Sequence, residues 1–212
     1  MMLAIVIGLA PVAVFGVAAL WARARSSRIA VLDLTALAPG GKRSKRTRAI
    51  DAVVLHQMSF SRGNDPRRYL KVTAHFIIVP DGTIAQLHPM SARLSASDGF
   101  NGRSVAIEFA GNLRSVKGGW YRPEDYGRDV LTAAQVLAGR GLLRQLRSAG
   151  IRHVYAHRQS SPKRGNDPGP EIWSTVGQWG VDVLGLDDGG EGYAIEAGTP
   201  IPDTWRSFTL TT

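Results

Sequence analysis

Apolar positions along this chain recur with two different periods. Between residues 50 and 110, and again at 151–156, they form short β-branched and aromatic runs; after residue 122 they recur at helical spacing. Ala52-Val53-Val54-Leu55 predicts a buried strand, with polar Gln57 and Ser59 beyond its end. Val72 to Val79 predicts a second. In a third, Ser104 to Phe109, Val105, Ile107 and Phe109 share one face while Ser104, Ala106 and Glu108 share the other. Ile151 to Ala156 predicts a fourth, ended by a stretch containing Pro162, Gly165, Asn166-Asp167-Pro168 and Gly169 that must fold back as a loop.

The helical pattern opens at Arg122-Pro123-Glu124-Asp125 and runs to Ser148 through Val130, Leu131, Ala134, Leu137, Leu142, Leu143 and Leu146, with Gly139 and Gly141 placed to break or bend it. A second helix is expected from Pro170 and Glu171 through Trp173, Val176, Trp179 and Val183, with Gly185 as its stop and both tryptophans in the core. Strands alternating with helices predict an α/β domain, a mixed central β-sheet flanked by helices on both faces, over residues 49–186. Residues 187–212, glycine-rich and then carrying Tyr193, Pro200, Pro202 and Trp205, are expected to pack back onto that domain.

Two strand ends carry histidine. His56 follows the first strand, His157 ends the fourth, and the loop after His157 can return Asp167 to the strand end. Two imidazoles and one carboxylate leave a fourth tetrahedral position open for water, as catalytic zinc requires. Glu108 is a carboxylate in an otherwise apolar strand. If its small-residue face lines the cleft it is placed as a general base; at a solvated strand end it is a surface residue. His75 is weighed as a packing residue against a substrate contact, and Arg158 is a second candidate substrate contact; His88, before Pro89, is expected at the surface, and His153 in a strand.

Four runs carry a family resemblance in their order and spacing: Ile50 to His56, Thr73 to Leu87, Ser104 to Glu108, and the loop from His157 to Pro170. Over roughly residues 48 to 185 the chain resembles the zinc-dependent N-acetylmuramoyl-L-alanine amidases of type 2, related to peptidoglycan recognition proteins. The resemblance implies zinc on His56, His157 and Asp167, Glu108 as catalytic acid and base, and peptidoglycan or muropeptides as substrate. It implies hydrolysis of the amide between the lactyl group of N-acetylmuramic acid and L-alanine, with a non-catalytic binding module on the same scaffold as the alternative. There are two departures. Gly165 stands where the family often has lysine, so Lys163 or Arg164 must supply the cation, and Leu94-Ser95-Ala96-Ser97 replaces a Trp-His-Ala run.

Composition adds an envelope question. The chain has 212 residues, 44% of them hydrophobic, which suits one well-packed domain, and it has no cysteine, which excludes disulfides and thiolate metal sites. Residues 1–21 carry no charge and predict a single transmembrane or signal-anchor helix. Residues 22–48 hold eight basic side chains against Asp33, most of the formal +9, and are expected as a basic linker facing anionic headgroups; no nucleic-acid partner is expected. Basic residues after a first span favour a cytoplasmic domain, whereas peptidoglycan lies outside. A membrane-anchored protein acting on the envelope side is the expectation adopted, with a phage lysis enzyme close behind.

Overall fold

In the computed structural model, residues 29–113, 124 and 127–210 are described. They build a six-stranded mixed sheet in the order β1-β5-β4-β7-β3-β8. Its central strands, β3 (Ala52–Gln57) and β7 (Ser104–Phe109), are parallel; β8 (His153–Ala156) extends the parallel run on one side and β4 (Phe76–Ile78) on the other. β5 (Ile84–Gln86) returns antiparallel from β4, and β1 (Leu32–Asp33) closes that edge. A separate ribbon joins β2 (Ser44–Lys45) to β6 (Ala92–Arg93).

Among the described residues, the α-helices pack on one face. There, Val53, Leu55, Val105, Ile107 and Phe109 meet α1 (Ala133–Ser148) and the long C-terminal helix. That helix starts as α2 (Pro170–Ile172), widens through a π-turn at Trp173–Gly177, and continues as α3 (Gln178–Leu184), ending on left-handed Gly185. The helices expected on the second face are short 3-10 turns instead: Tyr69, from the turn Pro66–Tyr69, packs there with Ala106 and Ile77, and Phe100, from the turn Asp98–Phe100, with Val54. Short turns leave that face room for a cleft above the strand ends.

Helix α1 begins eleven residues after the Arg122-Pro123 signal. Thr132 caps it, its hydroxyl accepting from the Gln135 N–H while Gln135 answers the Thr132 backbone, and this reciprocal cap marks the start. Gly139 and Gly141 do not break it. They let Phe109 and Ile29 approach: a Cβ at Gly139 would sit 2.8 Å from Phe109 Cζ and 3.1 Å from Val176 Cγ1. Gly139→Ala should therefore lower stability by about 1–3 kcal/mol, although alanine favours helix, and urea unfolding will read the loss. Trp173 is core, as expected, but Trp179 lies half-buried beneath the guanidinium groups of Arg140 and Arg144.

Part of the expected basic linker belongs to the fold, so the domain begins before residue 49. Ile29 and Val31 pack on the core, β1 pairs with β5, and the cations cap backbone carbonyls. Arg43 Nη2 donates to the Thr35 carbonyl at 2.7 Å, and Arg46 donates to those of Ala92 at 2.8 Å and Ser104 at 2.9 Å. These guanidinium groups satisfy loop carbonyls. His88 is likewise corrected. It is fully buried, its Nδ1 accepting from Arg43 Nε at 3.0 Å. At the other end, Ile201 and Trp205, the latter from α4 (Asp203–Arg206), join the helical core. The apolar stretch 1–21 lies outside the described residues, among which no helix is long and apolar enough to cross a membrane.

Candidate metal centre

His56 and Glu108 are register partners on adjacent parallel strands, so both side chains leave the sheet on the same face. His157 opens the 3-10 turn His157–Ser160 directly after β8, one strand away. The loop that follows is tied back by the end of β3: the Gln57 N–H donates to Asp167 Oδ1 at 2.9 Å, and Gln57 Nε2 donates to the Pro168 carbonyl at 3.2 Å. Gly169, at φ 91, makes the close approach to Gln57 possible. Asp167 is thus delivered beneath both imidazoles.

The resulting cluster is buried and tight. His157 Nδ1 lies 2.9 Å from Asp167 Oδ2, His56 Nδ1 lies 3.0 Å from His157 Nδ1 and 3.5 Å from Asp167 Oδ2. All three residues are at most 4% exposed. A tetrahedral ion with bonds of about 2 Å places its ligand atoms about 3.3 Å apart, the size of this triangle. These three residues can hold a metal ion.

Proton placement makes the same point. His157 Nε2 lies 3.2 Å from Asp98 Oδ2, and an ionised carboxylate only accepts, so this nitrogen carries the proton. His157 Nδ1 in turn faces another acceptor, Asp167 Oδ2. Two lone pairs at that separation require a proton or a metal cation between them. Burial lowers the His56 pKa against the pull of Asp167, and although burial alone would raise the Asp167 carboxyl, the two histidines hold it below the ordinary carboxylate range. Asp167 is thus held as the carboxylate and His56 as the uncharged imidazole, the forms a cation needs.

Glu108 completes the chemistry. Its Oε2 is buried and has no hydrogen-bond partner among the described residues. Burial first, then the charge of Asp167, pushes its pKa up to about 8, with Arg164 acting the other way. A buried carboxyl oxygen without a partner is costly, and such strongly raised groups concentrate where proton transfer is done.

The remaining candidates separate clearly. Arg164 is the loop cation whose charge bears on Glu108, His56 and Asp98, whereas Lys163 lines a cavity of about 450 Å³ with Asp98, Asn101, Ser160, Ser161 and Glu196. A side chain at Gly165 would enter open space. His75 is no substrate contact: it is 1% exposed, its Nδ1 accepts the Ala106 N–H at 3.0 Å, and its Nε2 lies 3.0 Å from the Ala92 carbonyl. Arg158 is structural too. It donates to the Gly165 carbonyl and lies over Trp205, fastening the loop to the C-terminal segment. His153 stands in β8 paired with Asp187 at 3.1 Å, outside the cluster. Sequence reasoning missed Ser97 and Asp98, whose oxygens meet the outer nitrogens of His56 and His157 at 3.0 and 3.2 Å. Their turn carries no periodicity that would have marked them.

A family model described as N-acetylmuramoyl-L-alanine amidase matches residues 46–170. Among solved structures, the N-acetylmuramoyl-L-alanine amidase LysC from Clostridium intestinale URNW superposes with a TM-score of 0.52 at 17% identity, over 75% of this chain and 99% of that one. Drosophila PGRP-LB gives a TM-score of 0.55 at 14% identity, over 76% and 98%. A complex of tracheal cytotoxin with the ectodomains of the peptidoglycan recognition proteins LCa and LCx gives 0.52 at 18%, over 71% and 96%. These likenesses establish a shared fold. No curated protein matches the chain.

Proposed function

The chain belongs to the N-acetylmuramoyl-L-alanine amidase family, and from that premise we propose that it hydrolyses the amide joining N-acetylmuramic acid to L-alanine of the peptidoglycan stem peptide. The observation that carries the proposal is the convergence of His56 Nδ1, His157 Nδ1 and Asp167 Oδ2 on one buried point beside Glu108, whose buried Oε2 has no partner among the described residues. Zinc suits two imidazole nitrogens and one carboxylate, and when bound it supplies Lewis-acid polarisation of the scissile carbonyl and activation of water.

The protein's own residues do the rest. Glu108 takes a proton from the attacking water and delivers it to the departing L-alanine nitrogen, a double role suited to a group whose pKa lies near the working pH. Arg164 supplies positive charge on the loop side, where negative charge develops on the carbonyl oxygen. The cavity lined by Asp98, Asn101, Ser160 and Lys163 opens next to His157 and offers polar contacts to the substrate beyond the cut bond. The envelope is the proposed place of action, with the apolar residues 1–21 as anchor.

Digestion of purified peptidoglycan with zinc-loaded protein tests this reading. New L-alanine amino termini should appear by mass spectrometry and should be absent with chelator. Sedimentation of intact, undigested wall together with the protein would instead identify a binding module.

A further inference from the structure

On the reading of this site as a metal centre, we propose that Asp98 is the positioning residue that fixes His157 in its metal-binding tautomer. The two oxygens that meet the outer histidine nitrogens are not equivalent. The Ser97 hydroxyl, 3.0 Å from His56 Nε2, can donate or accept and so permits either tautomer of His56. The Asp98 carboxylate, 3.2 Å from His157 Nε2, accepts only. It pins the proton on Nε2, frees the Nδ1 lone pair for the ion, and by its charge makes the imidazole a stronger donor.

The turn that carries Asp98 is built to stay still. Asn101 Oδ1 accepts the Ala96 and Ser97 N–H groups at 2.9 and 2.6 Å, and Ser160 Oγ donates to the Ser97 carbonyl at 2.9 Å. Arg46 grips the same turn from below, donating to the Gly102 carbonyl at 3.0 Å. Above it, Glu196 covers Gly99 so closely that a Cβ there would lie 2.7 Å from its Oε1. Asp98 itself sits at φ 45, a conformation aspartate tolerates better than most residues. Asp98 directly follows the run Leu94-Ser95-Ala96-Ser97, where the chain departs from the pattern it otherwise resembles.

That backbone conformation provides clean variants. Asp98→Gly removes the carboxylate while suiting φ 45, and Asp98→Asn keeps an acceptor without the charge. Zinc dissociation constants from chelator competition on the full chain should rise roughly 10–100-fold for Asp98→Gly and by less for Asp98→Asn. In zinc-loaded wild type and Asp98→Asn, the His157 Nε2 proton should be visible by NMR; in Asp98→Gly it should be lost to solvent exchange. Zinc affinity of Asp98→Gly equal to wild type would overturn the assignment while leaving the metal centre intact. Failure of wild type itself to take up zinc would overturn both.

Discussion

Glu108→Gln is expected to reduce amide hydrolysis by roughly 10²–10⁴-fold while making the metal-free protein more stable at alkaline pH. The activity loss follows from removing the group that moves the proton. The gain in stability follows from linkage. An isolated glutamate titrates near 4.5, whereas burial and the Asp167 charge push Glu108 up to about 8 in the folded state. Between these values the folded protein binds a proton that the unfolded chain has released, so stability falls as pH rises from 4.5 to 8 and then levels off. Glutamine abolishes that penalty. The variant should match wild type near pH 4.5 and exceed it at pH 8 by a margin on the order of 3 kcal/mol, measured by urea unfolding in chelator. Parallel stability curves for the two proteins would show that Glu108 is not held in the costly state. Zinc should shrink the difference, since a nearby cation favours the carboxylate.

Asp167→Asn should cost the protein its metal. Asp167 is the single anion among the three converging atoms, with Oδ2 2.9 Å from His157 Nδ1 and Oδ1 accepting from the Gln57 backbone. The amide can keep the Gln57 bond, but it then turns an NH₂ toward the imidazoles. Zinc at a thousandfold above its dissociation constant should stabilise wild type by about 4 kcal/mol, which for a domain of this size raises the unfolding midpoint by roughly 8–16 °C. Asp167→Asn should show no such rise in a thermal melt. It should also bring the Glu108 pKa back toward the ordinary range, because the Asp167 charge is part of what raises it. An undiminished zinc-dependent rise would remove Asp167 from the donor set.

Much of this site was legible because strands impose parity. Alternation along Ser104–Phe109 separated Glu108 from Phe109, and the β-run before His157 gave that imidazole a rigid base. The start of α1 was not legible: the Pro123-Glu124-Asp125 cluster reads as a helix opening, whereas the helix begins at the reciprocal cap of Thr132 and Gln135. The basic segment misled for a different reason. A run of cations looks solvated, and nothing local shows that the loop before β7 leaves carbonyls for Arg46 to fill. His88 misled in the same way, since its partner Arg43 lies 45 residues upstream.

What the sequence by itself determined is the set of elements and the chemically capable residues on them: hydrophobic period separates strand from helix, and Gly and Pro force the loop that carries Asp167. Only the tertiary structure decided which of those residues meet. The His56 to Glu108 register, the return of Asp167 beneath two imidazoles, and the arrival of Asp98 at His157 all join residues that packing brings together. The physical reason is that side-chain direction is set locally by backbone period, whereas proton placement, charge and metal-ligand spacing are set by neighbours that packing brings from elsewhere.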